Sequence, residues 1–167
     1  MNFVEKVGEQ SIFLYELYFI YLFMAYKNRF SFIMVIAILA NIVINMLAKG
    51  YIIEFGKKYN HEVPIFGRLC RPIDIECKGI SMIGYGTPSG HSQIVSFVAA
   101  FYYFYYNNTL EYSKTNFLIL CMMGLFTMST RYTSGMHSLP HILLGALFGI
   151  CLAYGLNKIV KFLEYLG

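Results

Sequence analysis

The chain has 167 residues, of which 57% are hydrophobic, 18% aromatic and only 13% charged. Soluble domains usually carry about 25% charged residues, so the composition excludes a disordered chain and a basic nucleic-acid-binding tail, and it argues against a free-standing soluble domain. The formal net charge of +4 is small and dispersed, which gives no electrostatic case for a nucleic-acid partner. Mean hydropathy is +0.55, and the expected solvent is a bilayer. Four cysteines are too few for a disulfide framework. Glu5 and Glu9 stand where a cleavable signal would be apolar.

Five apolar segments follow in chain order, at 11–26, 30–48, 92–106, 116–129 and 139–156. They predict an all-α integral membrane bundle of about five transmembrane helices, folded as a single domain over 1–167. Three segments are shorter than the roughly 20 residues that cross an average hydrocarbon core. Short spans suit a thin membrane such as that of the endoplasmic reticulum. Glu16, the one acid inside an apolar run, either has a function or reaches water from near the start of its segment. The run Phe101-Tyr102-Tyr103-Phe104-Tyr105-Tyr106 fits an aromatic belt at a membrane interface. Met122, Met123 and Met128 read as span packing, and the spacing of Gly145 and Gly149 as close helix contact.

Counting spans puts the amino terminus, the polar stretch 49–91 and the 130–138 turn on one face. Lysine and arginine do not decide which face is cytoplasmic once the arginines of that face have a task of their own. Three polar groups gather there: Arg71-Pro72, Pro88-Ser89-Gly90-His91, and Arg131 with His137. Two histidines and two arginines without clustered carboxylates make a poor metal site and a good oxyanion site. The arginine fork matches phosphate oxygens in pairs. A helix opening at Ser89-Gly90 adds free N–H groups and the positive end of a dipole. One imidazole can attack phosphorus while a second protonates the leaving oxygen, with no cofactor.

These residues resemble the type-2 phosphatidic acid phosphatase superfamily of membrane lipid phosphatases. The family pattern is lysine, six residues, Arg-Pro; then Pro-Ser-Gly-His; then Ser-Arg, five residues, His, three residues, Asp. Arg71-Pro72, Pro88-Ser89-Gly90-His91 and Thr130-Arg131 with His137 match in order across 71–141. The resemblance implies that His137 is the nucleophile and His91 the general acid, with Arg71, Arg131, Ser89 and Gly90 holding the phosphoryl group and no metal taking part. The sequence departs from the pattern twice. Pro64 stands at the lysine position, where Lys57, Lys58 or Arg68 are out-of-register substitutes. His141 stands at the terminal Asp position, where it either orients His137 one turn away or points to the interface.

The run Pro88-Ser89-Gly90-His91-Ser92-Gln93 is also similar to the dolichyl-pyrophosphate phosphatase branch. The implied function is metal-independent hydrolysis of a lipid phosphate or pyrophosphate through a phosphohistidine. A polyprenyl pyrophosphate is the first expected substrate and a phosphatidate-like lipid the second. The rival, favoured by Pro64 and His141, is an impaired enzyme that binds lipid phosphates without turning them over. Arg68 otherwise reads as a solvated loop residue, and Cys70 and Cys77 either pair in an oxidising lumen or remain thiols.

Overall fold

The computed structural model describes residues 17–21, 24–25, 29–59, 68–69, 80–81, 88–107 and 109–166. Four helices dominate: α1 (Arg29–Tyr59), α2 (Gly90–Tyr106), α3 (Lys114–Thr133) and α4 (Leu139–Leu166). The short segments 17–21 and 24–25 are also helical and fall within the first expected span. In the long connection after α1, β1 (Arg68–Leu69) pairs antiparallel with β2 (Ile80–Ser81), with Arg68 opposite Ser81. The described residues are therefore helical apart from this two-residue ladder, which the sequence pattern did not announce.

Among the described residues two stretches, Arg29–Tyr51 and Leu139–Leu166, are long and apolar enough to cross a membrane. Helix α2 has 17 residues and is short for that purpose. Helix α3 has 20, but Lys114, Asn116 and Arg131 make its ends polar. The expected second segment stopped at residue 48, where Lys49, Gly50 and later charges end the apolar run. The helix runs on to Tyr59, because loss of hydrophobicity does not stop a helix when glutamate and lysine are good helix formers.

Helix α2 is the hub. It packs most extensively on α4, then on α3 and α1, while α3 and α4 barely touch each other. Ile94, Val95, Phe97, Val98 and Phe101 are all buried, which gives the helix a broad apolar face turned to the core. Its contact with α4 runs along Gly145 and Gly149, both facing α2 backbone. A Cβ on Gly145 would stand 2.5 Å from the Ser89 carbonyl oxygen, and one on Gly149 closer still to that of Gln93. The glycine spacing therefore marks a backbone-to-backbone crossing, as the sequence suggested.

The aromatic run takes a different place from the one expected. Phe101, Tyr102 and Tyr106 are buried. Phe30 of α1 stacks on Phe101 with ring centroids 5.9 Å apart and meets Tyr106 at 4.7 Å. Half of the run is thus core, because α2 sits between its neighbours and only part of its surface faces outward. The Tyr102 hydroxyl receives the Ser113 N–H at 3.2 Å and ties the α2–α3 turn to this cluster.

Large apolar side chains reach the surface, and polar ones are buried beside the apolar core. Phe32, Ile36, Leu39, Val43 and Leu47 on α1, and Leu143, Leu147, Ile150 and Tyr154 on α4, are exposed. Asn41, Asn45, Gln93, Thr127, Arg131, His137, His141 and Asn157 are buried.

Candidate active site

Three helix ends converge: the start of α2, the end of α3 and the start of α4. Ser89 caps α2 with extended backbone, φ −65° and ψ 112°. Its Oγ accepts the Ser92 N–H at 3.5 Å and the Ser92 hydroxyl at 3.1 Å, so its own hydroxyl hydrogen remains a donor for a ligand. The Ser89 N–H donates to the His141 carbonyl at 3.2 Å. That bond joins the cap of α2 directly to the first turn of α4. Gly90 follows, pressed against α1: a Cβ there would lie 3.2 Å from Asn45 Oδ1.

Arg131 lies in the last turn of α3 and is buried, where a cation complements the negative end of the helix dipole. The chain then reverses through Gly135, whose φ of +67° is a left-handed conformation that glycine adopts without penalty. Gly135 N–H donates to Tyr132 at 3.0 Å, and Met136 N–H donates to the Arg131 carbonyl at 3.2 Å, the Schellman closure of a helix end. His137 N–H reaches the same Arg131 carbonyl at 3.2 Å. Two residues six apart in sequence are thus fixed to each other by backbone bonds.

His137 is 8% exposed, and its Nδ1 has no hydrogen-bond partner among the described residues. Buried polar atoms are rarely left so. Its pKa is lowered from 6.5 to about 3, first by burial and then by Arg131, His141, Lys49 and His91. The four groups that repel a proton there are all cations or imidazoles, and they come from α1, α2, α3 and α4 in turn. His137 is consequently neutral at physiological pH, the state an imidazole needs to attack phosphorus.

His141 is fully buried, and its Nδ1 accepts the Ser138 N–H at 3.3 Å. A side chain at the third helical position reaching back to the residue before the helix satisfies an orphan donor as a capping box does. Its ring stands edge-on to that of His137 with centroids 5.9 Å apart. His137 Nδ1 makes no hydrogen bond to it. The backbone of His141 holds Ser89 while its ring caps α4.

Of the residues singled out in the sequence, Ser89, Gly90, His91, Arg131, His137 and His141 come together at this end of the bundle. Arg71, Pro64, Glu16, Cys70 and Cys77 lie outside the described residues, and Arg68 falls in β1. The sequence reading missed the amides that brace the site. Asn45 Nδ2 donates to Gln93 Oε1 at 2.6 Å and to the Pro88 carbonyl at 3.4 Å. Gln93 Nε2 in turn donates to Asn41 Oδ1 and, at 3.4 Å, to the Asn41 carbonyl. The signal was present: Asn41 and Asn45 interrupt an apolar segment at helical spacing, and polar groups inside such segments rarely lack a task.

The titration of His137 gives a testable pH dependence. Between pH 6.5 and about 3 the unfolded chain takes up a proton that the folded chain refuses. Folding stability is therefore undiminished above that window and falls as pH drops through it. Thermal unfolding in detergent between pH 7 and 4.5 should show this fall, and His137→Gln should flatten it. An equal slope in both proteins overturns the assignment.

A capped helix start, a buried guanidinium and an imidazole whose pKa is lowered lie together at one end of the helical bundle. The chain belongs to the PAP2 superfamily, which matches residues 31–165 and so takes in all of the site just described. Superfamily members are phosphatases, which supports a phosphoric ester hydrolase here. No curated protein and no solved structure matches the chain.

Proposed function

We propose that the protein is an integral membrane phosphatase that hydrolyses a lipid phosphate or pyrophosphate through a phosphohistidine. The observation that carries this reading is the convergence of Ser89, Arg131 and neutral His137 on one end of the bundle. In the first step an imidazole nitrogen of His137 attacks phosphorus. The N–P bond forms as the bond to the leaving oxygen breaks, and His91 gives that oxygen its proton. In the second step water attacks the phosphohistidine, His91 takes the water's proton, and the N–P bond breaks to free phosphate. Arg131 and Arg71, the Ser89 hydroxyl and the Gly90 N–H neutralise the equatorial oxygens throughout.

A cavity of about 450 Å³ supports a lipid as the carrier of that phosphate. It lies between α3 and α4, which splay apart over α2, and Ala99, Tyr103, Leu120, Gly124, Met128 and Ile150 line it. Val95, also in its wall, is one turn beyond His91, and Met128 is three residues before Arg131. From Val95 to Tyr103 the slot runs about 12 Å along the helices at 1.5 Å per residue. A headgroup at the site would leave its tail in this apolar space. The exposed apolar faces of α1 and α4 support a bilayer around the bundle, with segment 11–26 and the four helices as five crossings. The short α2 fits this arrangement because its neighbours shield it from lipid.

A polyprenyl pyrophosphate is the preferred substrate, on the similarity of Pro88–Gln93 to the dolichyl-pyrophosphate branch, and a phosphatidate the second. Phosphate release from both, and from a short-chain phosphate ester, is measured in detergent with a chelator present. Release from the lipids with polyprenyl pyrophosphate fastest is expected. Release no greater than that of His137→Ala leaves a lipid-phosphate-binding protein instead. Ala99→Phe, which fills the slot, should raise the KM of the long-tailed lipid about tenfold relative to the short ester, since tail burial contributes roughly 0.8 kcal/mol per CH₂.

A further inference from the structure

The peptide unit that joins Pro88 to Ser89 is gripped at both of its polar atoms. Its carbonyl oxygen accepts a hydrogen from Asn45 Nδ2 of α1 at 3.4 Å, and its N–H donates to the His141 carbonyl of α4 at 3.2 Å. The carbonyl and N–H of a trans peptide lie in one plane and point opposite ways, so two helices hold this plane from two sides. The proline ring fixes φ at Pro88, which leaves ψ as the soft angle there, and the two bonds settle it. The α1 carboxamide also lies against the next residue, since a Cβ on Gly90 would stand 3.2 Å from Asn45 Oδ1.

Asn45 is itself held. Its Nδ2 carries two hydrogens, and the second goes to Gln93 Oε1 at 2.6 Å. Gln93 Nε2 passes on to Asn41, one turn back along α1. Asn41, Asn45 and Gln93 are all buried. Each asparagine thus serves one end of the same glutamine, but it is Asn45 that also reaches the residue before the α2 cap.

We propose that Asn45 is a positioning residue for phosphoryl transfer. Together with the His141 carbonyl it fixes the Pro88–Ser89 plane, and so aims the Ser89 hydroxyl and the first turn of α2, which carries His91. The inference rests on the phosphatase reading and brings α1 into the shaping of the site. Asn45 touches no reacting atom. A tilt of the plane it holds loses first the contacts that must match phosphorus in flight, whereas a substrate anchored by its tail still binds. Loss of Asn45 should therefore lower kcat and leave KM nearly unchanged. Glue between α1 and α2 is the competing role, and it would make the two asparagines equivalent.

The test compares Asn45→Leu with Asn41→Leu in the full chain in detergent. Each orphans one end of Gln93, and the first also releases the Pro88 carbonyl. Phosphate release from a polyprenyl pyrophosphate gives kcat and KM, and calorimetry gives the affinity for orthovanadate, which mimics phosphorus in flight. Asn45→Leu should lower kcat about a hundredfold, as a displacement of about 1 Å does, and weaken vanadate about tenfold or more. Asn41→Leu should keep both within about threefold, although unfolding curves show a similar change in stability for the two variants. Equal losses in both, or an undiminished kcat and vanadate affinity in Asn45→Leu, overturn the proposal and leave the phosphatase reading standing. Alanine replaces leucine where a leucine variant does not fold; a chain that folds with neither at position 45 marks a structural role and overturns the proposal. Vanadate binding by a wild type that releases no phosphate overturns the phosphatase reading, and the vanadate comparison still decides Asn45. A wild type that does neither overturns both.

Discussion

His137→Ala is expected to reduce phosphate release from lipid substrates to background, a loss of about four orders of magnitude or more, as when a covalent nucleophile is removed. The variant should nonetheless fold. His137 is held by its backbone, through the Arg131 carbonyl, so truncating the side chain leaves the α3–α4 connection in place. It also removes an imidazole that is buried with an unsatisfied Nδ1, and the variant's unfolding temperature should be equal to the wild type's or higher at mildly acid pH. Acid quenching of the wild type during turnover should trap an acid-labile phosphoryl adduct on His137. A stable adduct on Ser89 overturns the assignment, as does a His137→Ala variant that retains turnover. Activity and stability moving in opposite directions is the signature of a group kept for chemistry at the expense of the fold.

The second large effect concerns no chemical group. Gly145, Gly149 and Gly155 lie on one helix, and the same substitution should give opposite results among them. A Cβ on Gly155 meets nothing within 4 Å, so Gly155→Ala should stabilise by about 0.5–1 kcal/mol through reduced backbone freedom in the unfolded chain. A Cβ on Gly149 runs into the Gln93 carbonyl and stands 3.0 Å from Phe97 N. Backbone cannot rotate away as a side chain can, and Gly149→Ala should cost about 3 kcal/mol, the upper part of the overpacking range. Gly145→Ala pushes on Ser89 instead, 2.5 Å from its oxygen and 3.1 Å from its nitrogen. It should depress activity more than stability, because it displaces the α2 cap that the proposed reaction sets against the phosphoryl group. Unfolding curves and phosphate release on the three variants check the ordering. Equal behaviour of Gly149→Ala and Gly155→Ala would show that the helices do not cross at these glycines.

Much of the site could be read from the chain because its chemistry is encoded in short local patterns. Ser89-Gly90-His91 is a helix start whatever surrounds it, and Arg131 and His137 are joined by a turn whose Gly135 is itself a sequence signal. The helix crossing was legible for the same reason, since Gly145 and Gly149 repeat at the helical period. What escaped notice depends on contacts between distant segments. The aromatic run looked like a belt because its composition is the same in a core, and only the central position of α2 distinguishes the two. His141 invited comparison with a catalytic carboxylate by its register. Its ring Nδ1 closes a helix end, a role that depends on where α4 begins.

The amide ladder of Asn41, Asn45 and Gln93 has a consequence for biogenesis. A helix released into lipid with two carboxamides on one flank has nothing there to satisfy them, and their partner lies some fifty residues downstream. In the bilayer arrangement proposed above, α1 would therefore gain by waiting at the site of insertion until α2 emerges and zips onto it. Exchange of all three for leucine would free α1 to partition alone, and the chain would lose the cue that sets the order of its assembly.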